Sequence, residues 1–157
     1  MPMVESESKQ YVVFKLGREE YGFDVSTVRE IQSMDQITAV HGSVGYVEGV
    51  MNLRGKLVTI IDMRKRFGMG PPTEKTETKI VVIDAPDAPV GFIVDEVTEV
   101  IHISKDSVED VPTPIASKIE SEYVLGIAKR DDRLITLVDP IKILDLSVGS
   151  EAGPRRS

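Results

Sequence analysis

The sequence predicts an all-β protein assembled from two small closed barrels. Three observations carry that prediction: an internal duplication, four hairpin signals, and helical pieces of only one or two turns. The segment 46–67 returns as 123–144, each residue n matching n + 77 without a gap. Tyr46-Val47-Glu48-Gly49-Val50 aligns with Tyr123-Val124-Leu125-Gly126-Ile127, and Leu57-Val58-Thr59-Ile60-Ile61-Asp62 with Leu134-Ile135-Thr136-Leu137-Val138-Asp139. An earlier segment repeats at n + 69. Tyr21-Gly22-Phe23-Asp24-Val25 and Val28-Arg29-Glu30-Ile31 match Val90-Gly91-Phe92-Ile93-Val94 and Val97-Thr98-Glu99-Val100. Two copies are too few for a solenoid, which needs three or more, and fit a pseudo-twofold pair of lobes.

The elements follow in order. Gln10–Leu16 and Tyr21–Val25 are rich in aromatic and β-branched residues and flank Gly17-Arg18-Glu19-Glu20, a hairpin pattern. Thr27-Val28-Arg29-Glu30 has capping-box spacing and predicts a helix start, although Val28–Gln32 also reads as strand. Val50–Leu53 and Lys56–Asp62 form a second hairpin around Arg54-Gly55. Lys79–Asp84 and Val90–Val94 form a third, closed by Ala85-Pro86-Asp87-Ala88-Pro89, and Val97–Ile103 is extended. Val124–Arg130 with Arg133–Val138 form the fourth. Asp62 and Asp139 each end a strand where a carboxylate can cap the next helix. Pro140 stands at a first helical position. Met63–Phe67 and Ile141–Leu144 are therefore read as matching short helices, and another helix is expected between Pro114 and Glu122. Closing such strands into barrels removes aggregation-prone edges.

The chain has 157 residues and a net charge of −7. That length buries roughly 70% of the unfolded surface, enough for a core. An acidic chain repels phosphate backbones, and its one basic cluster, Arg64-Lys65-Arg66, is too short for a nucleic-acid footprint. Without cysteine there is no disulfide and no thiolate metal site. No apolar run approaches the ~20 residues that span a bilayer, and the N-terminus carries no apolar signal region. The cytoplasm is the expected location. Residues 1–9 and 147–157 read as disordered tails around a domain at 10–146.

Chemistry-bearing residues are scattered. His41 precedes the loop Gly42-Ser43-Val44-Gly45, and His102 alternates with Ile101 and Ile103, which points it to solvent; neither has metal-ligand spacing. The loop 42–45 is no nucleophile elbow. Gly68-Met69-Gly70 runs into Pro71-Pro72 rather than a phosphate-binding helix. Glu19-Glu20, Glu109-Asp110 and Asp131-Asp132 sit at turn signals and read as solvated. Met51, Met63 and Met69 read as filling. No catalytic residue, metal or cofactor is expected, which leaves a binding module. A small-ligand barrel or enzyme would need convergent polar groups in a pocket, with His102 and Asp95 the candidates.

The stretch Tyr46–Arg64, with Asn52-Leu53-Arg54-Gly55 inside its hairpin, resembles the CheW-type chemotaxis coupling proteins. So do Glu20–Val25 with Val28–Ile31, and Val90–Asp95 with Val97. The resemblance implies two interleaved five-stranded SH3-like barrels with short helices, the first hairpin packing with the last and the middle ones together. It implies a non-enzymatic adaptor in receptor arrays beneath the inner membrane. Its partners would be the cytoplasmic tips of chemoreceptors (methyl-accepting chemotaxis proteins) and the regulatory domain of a CheA-type histidine kinase. At this length neither a kinase core nor a fused receiver domain is expected. The same fold in a pilus-linked or other non-flagellar pathway is the alternative.

Carried over by resemblance, the receptor-binding residues are Val12, Val25, Val28, Glu30, Val97 and Val100. The partner-binding residues are Gly49, Asn52, Leu53, Arg54 and Gly55, and Glu30 and Arg54 are expected to pair. From the residues alone, the valines also read as core, with Val100 and its twin Ile31 core by composition. Gly49 and Gly126 repeat, so strand geometry suffices for each. Gly55 is read as supplying a positive φ at the tip. The first copy carries Arg54 where the second carries Asp131, so the first reads as the specialised one.

Overall fold

The computed structural model describes residues 8–34, 37–40, 45–72, 77–110 and 123–144. The helix expected between Pro114 and Glu122, the loop residues 41–44 with His41, and the tail residues 1–7 and 147–157 lie outside them. In chain order the strands are β1 (Ser8–Leu16), β2 (Glu19–Asp24), β3 (Val28–Ser33), β4 (Val47–Leu53) and β5 (Lys56–Asp62). Helix α1 (Met63–Arg66) follows, then β6 (Lys79–Asp84), β7 (Pro89–Val94), β8 (Glu96–Ser104), β9 (Val108–Glu109), β10 (Val124–Arg130) and β11 (Arg133–Val138). Residues 140–144 are helical. β1 begins at Ser8, so the last two residues assigned to the N-terminal tail belong to the strand.

The strands form two sheets, β8-β1-β2-β11-β10-β9 and β3-β6-β7-β5-β4. The chain divides into two interleaved units. One holds its residues up to Val13, Glu20–Val25 and those from Val100 on; the other holds Phe14–Glu19 and Ser26–Glu99. The first hairpin shares a sheet with the last, and the two middle hairpins share the other, as the resemblance implies.

The duplication is visible in the register. β5 pairs parallel with β7 through Thr59↔Val90 and Ile60↔Gly91. β11 pairs parallel with β2 through Thr136↔Tyr21 and Leu137↔Gly22, the same residues shifted by 77 and 69. At Gly91 a Cβ would stand 2.8 Å from Ile60 Cδ1, and at Gly22 one would stand 3.1 Å from Leu137 Cδ2. Both glycines thus face an apolar side chain on the paired strand. Asp62 and Asp139 are twins as well. Asp62 Oδ1 accepts from the Arg64 and Lys65 N–H groups (2.9 and 3.4 Å), and Asp139 Oδ1 from those of Ile141 and Lys142 (2.9 and 3.4 Å). These are the expected helix caps.

Alternation places a core in each unit. Tyr11, Val13, Ile101, Ile103, Ala128, Ile135 and Leu137 pack together in one, with Val108 against them. Met51, Val58, Ile60, Ile80 and Val82 pack in the other, with Ile37, Leu53 and Ile93. β8 alternates cleanly, so His102 is exposed between buried Ile101 and Ile103, as its strand position predicts.

Each sheet is closed by the segment that follows its edge strand. In the five-stranded sheet β3 and β4 are opposite edges. The chain beyond β3 turns onto β4, where Thr38 and Val50 exchange two backbone hydrogen bonds of 2.9 Å. In the six-stranded sheet the edges are β8 and β9, joined by the 3-10 turn Lys105–Ser107, and β9 pairs with β10 through Glu109↔Ile127. Sequence reading missed β9, because a two-residue strand has no periodicity to detect.

Two further expectations are corrected. Thr27–Glu30 is no capping box: Val25–Thr27 is a 3-10 turn and Val28–Ser33 is strand. Backbone pairing of β3 with β6, Glu30↔Val82 and Ile31↔Val81, overrides the local signal. Ile31 and Val100 are not core but 39% and 49% exposed, since both fall on the outward face of an alternating strand.

The close approach at the seam is why Gly49 is glycine. Its φ is 149°, and an added Cβ would lie 2.1 Å from the Thr38 carbonyl oxygen. Its twin Gly126 meets Val108 and Glu109 of the other closing segment. Gly55 also has positive φ, 84°, but no atom lies within 4 Å of an added Cβ. Gly49→Ala is therefore expected to destabilise the protein by well over about 1 kcal/mol, and by more than Gly55→Ala. Paired urea denaturation curves check the order; equal midpoints would refute the seam account.

Candidate functional site

The four-residue tip Asn52-Leu53-Arg54-Gly55 gives each residue a separate task. Leu53↔Lys56 is the last strand pair, leaving Arg54 and Gly55 as a two-residue turn. Both have positive φ (52° and 84°), the pattern of a primed hairpin turn, whose twist matches the flanking strands. Sequence reading assigned that conformation to Gly55 alone. Asn52 Oδ1 accepts from the Gly55 N–H at 3.0 Å and fastens the turn. Leu53 packs on the core of its unit. Arg54 is left to project, with its side chain 69% exposed.

Arg54 meets Glu30 in a two-pronged fork. Nη1 donates to Oε2 at 2.7 Å and Nη2 to Oε1 at 2.6 Å, the planar geometry that guanidinium and carboxylate share. Gln32 Nε2 adds a third donor to Oε1 at 2.6 Å. Glu30 lies on β3 and Arg54 at the end of β4, the two edge strands, so the fork bridges the seam that Thr38 closes. The hydrogen bonds from Arg54 and then Gln32 pull the Glu30 carboxyl down from 4.5 to about 2. The Arg54 guanidinium is raised by the same bond.

The twin tip is built differently. Asp131 takes the position of Arg54, with φ 56°. Arg130, one residue earlier, donates from Nη1 to the His102 carbonyl of β8 at 2.6 Å. A side chain at each tip thus reaches the far edge strand of its own sheet, one to a carboxylate and the other to a backbone oxygen. At the apex itself only the first copy carries a guanidinium; in the second unit the fork is made by Arg133, just past the turn, on Glu20 of β2 (Nε 3.2 Å, Nη2 2.6 Å).

Other charges of this unit, at the opposite end of the β4–β5 hairpin, are engaged as well. Asp95, 6% exposed, is the buried polar residue of the described core. Arg64 of α1 holds it through Nε (2.9 and 3.1 Å) and Nη2 (2.6 Å), and the Gly17 N–H donates to Oδ2 at 2.7 Å. Arg64 Nη1 also donates to the Gly70 carbonyl at 2.7 Å. Burial works against ionised Asp95, but the Arg64 bonds and the Gly17 N–H outweigh it and hold its pKa below the usual range. Lys65 reaches Glu48 at 3.2 Å, and Arg66 stacks 5.4 Å above the Tyr46 ring. The one basic cluster of the sequence is thereby occupied internally. Asp95 is committed to an ion pair, which removes it as a pocket group for a ligand-binding barrel.

The expected contact residues divide. Glu30, Val28 and Val97 lie in the unit that carries Arg54, the two valines half-buried. Val25, half-buried in a 3-10 turn, and Val100, exposed, belong to the other unit. Two are not at the surface: Val12 is 1% exposed, within the buried run Tyr11–Phe14, and Gly49 is buried beneath Thr38. Their side-chain environments are explained by packing. Gln32 was missed. Its signal is position i + 2 from Glu30 on one strand face, legible only once β3 is known to be strand.

This geometry meets the comparisons with known proteins. The CheW-like domain matches residues 10–148. The chain belongs to the CheW-like family. It is 33% identical over 140 residues to Chemotaxis protein CheW of Klebsiella aerogenes, covering 89% of this chain and 84% of that protein. It is 32% identical over 146 residues to the Bacillus subtilis protein of the same name, covering 93% of each. Among solved structures, the scaffolding protein TtCheW of Thermoanaerobacter tengcongensis superimposes with a TM-score of 0.75 at 38% identity, over 83% of this chain and 88% of that one. The fold is thus all-β with two SH3-like barrels. The chain is a CheW-type chemotaxis scaffold, of a family that works as adaptors rather than enzymes. Among the described residues no helix is long and apolar enough to cross a membrane.

Two outcomes follow for this CheW-like chain. Because the folded Glu30 carboxyl lies below 4.5, the fork is complete above pH 4.5 and is lost as pH falls through about 2. Carboxyl-carbon NMR should give a Glu30 midpoint near 2, moving toward 4.5 in Arg54→Gln. An unmoved midpoint would contradict the fork. Asp95→Ala leaves Arg64 without its buried counter-ion and should cost about 3 kcal/mol in chemical denaturation. A loss of a few tenths would show that Arg64 finds another partner.

Proposed function

We propose that this chain couples the cytoplasmic tips of chemoreceptors to a CheA-type histidine kinase, as a passive docking piece in the cytoplasm. Membership of the CheW-like family supports the pathway. The observation that carries the site is Arg54. A long cationic side chain occupies a left-handed turn position that glycine, asparagine or aspartate fills at less cost, and it is exposed and pre-oriented by Glu30. Fold alone accounts for Asn52, Leu53 and Gly55, which shape the tip, but not for a guanidinium at its apex.

In this reading Arg54 and Glu30 form the polar part of the contact and give orientation and partner choice more than affinity. Val28 and Val97 add apolar surface of the kind that receives an amphipathic helix. Val25 and Val100 are further contact candidates on the other unit. Val12 and Gly49 act through the core and the seam.

The test is a three-component assay with purified kinase and receptor signalling fragments. The wild-type chain is expected to bring them into one complex and to change kinase autophosphorylation. Arg54→Glu should weaken assembly at least about tenfold with an unchanged circular dichroism spectrum. A wild-type chain that forms no complex and leaves the kinase unaffected would end the proposal. Unfolding of Arg54→Glu would make Arg54 a structural residue.

A further inference from the structure

We infer that Gln32 is a positioning residue of the proposed contact: its side-chain amide fixes the Glu30 carboxylate so that the Arg54 guanidinium is presented in one orientation. The inference deepens the adaptor reading and rests on it only for its binding consequence.

β3 alternates along its length. Val28, Glu30 and Gln32 occupy the half-buried face, while Arg29, Ile31 and Ser33 are exposed on the other. Residues i and i + 2 share a strand face, so a long polar side chain at 32 can reach back to 30. It does so with Nε2 2.6 Å from Glu30 Oε1. Oε1 therefore takes two donors, Gln32 Nε2 and Arg54 Nη2, and Oε2 takes Arg54 Nη1.

The need for such a hold comes from the rest of the fork. Among the described residues, Arg54 donates its side-chain hydrogen bonds to Glu30, and its side chain is 69% exposed against 16% for Glu30. A flexible guanidinium on a two-residue tip is only as ordered as the carboxylate it grips. Glu30 has three rotatable side-chain bonds, and a donor from its own strand removes that freedom before a partner arrives. Pre-ordering of this kind raises affinity by lowering what binding must immobilise.

Gln32 suits the task because it is neutral. It donates without competing with Arg54 as a counter-ion, so the fork keeps its cation exposed. Two charged groups bear on Glu30: Arg54 from the tip and Arg29 from its own strand. Arg29 is held by Asp84 of β6 at 2.9 Å and points elsewhere.

The test compares wild type with Gln32→Met, which keeps length but has no donor, and with Gln32→Leu as a second variant. In the free protein, the Glu30 titration midpoint should rise above about 2 yet stay below 4.5, since Arg54 remains. The ¹⁵N order parameter of Arg54 Nε should fall in the same variants, with thermal midpoint and circular dichroism unchanged. Binding to the receptor and kinase fragments should weaken about fivefold, equivalent to about 1 kcal/mol, the net worth of a typical hydrogen bond. An unchanged Glu30 midpoint or an unchanged Arg54 order parameter overturns the inference. Equal affinities of wild type and variant overturn it as well. Failure of the wild-type chain to bind overturns the adaptor reading instead, and the two free-protein measurements still decide what Gln32 does.

Discussion

Closure of a small sheet on itself is the constraint from which the rest of this molecule follows. Five short strands leave two edges, and an exposed edge invites aggregation. Here the chain leaving each edge strand turns and pairs with the opposite side, at Thr38↔Val50 in one unit and Glu109↔Ile127 in the other. The turn-over brings a backbone carbonyl so near the facing strand that only glycine fits at Gly49, and at Gly126 it brings the Val108 side chain and the Glu109 carbonyl close. Closure is thus a sufficient cause for this repeated glycine pair.

The same seam creates the candidate site. β3 and β4 are edge strands of one sheet, and closure sets a carboxylate on the first against a guanidinium at the end of the second. The turn position equivalent in the two copies carries an exposed cation in one and an exposed carboxylate in the other. The other copy spans its seam with Arg130 on a backbone oxygen, and its guanidinium-carboxylate fork, Arg133 on Glu20 of β2, sits below the tip and is less exposed. Duplication permits this division: with closure satisfied by backbone pairing, the tip side chain is free to differ.

A buried ion pair completes the picture of a scaffold without reaction chemistry at its polar centre. Asp95 is ionised and held by Arg64 and the Gly17 N–H, joining α1, the β1–β2 turn and the β7–β8 junction within one unit. Such a pair is costly to bury and is retained where it fixes geometry. It stands at the head of β8, the strand that carries Val97 and Val100.

Much of this was legible in the residues. The duplication, the four hairpins, both aspartate caps, the exposed His102 and the asymmetry between Arg54 and Asp131 all rest on local patterns of period two or on self-comparison, which need no coordinates. The chain order of strands alone did not reveal how sheets close. β9 has too few residues to show a period, and β3 carried a helix-start signal that long-range pairing with β6 overrode. Burial was misread for Ile31 and Val100 because composition does not say which strand face meets a core, whereas Val12 is buried as its residue-level reading allowed. Gln32 entered the site for the same reason: its role exists only once β3 is a strand and its neighbour two residues away faces a charge brought from across the seam. Local sequence determined the elements and the chemistry at the tip; the non-local pairing that closes each sheet decided which side chains meet.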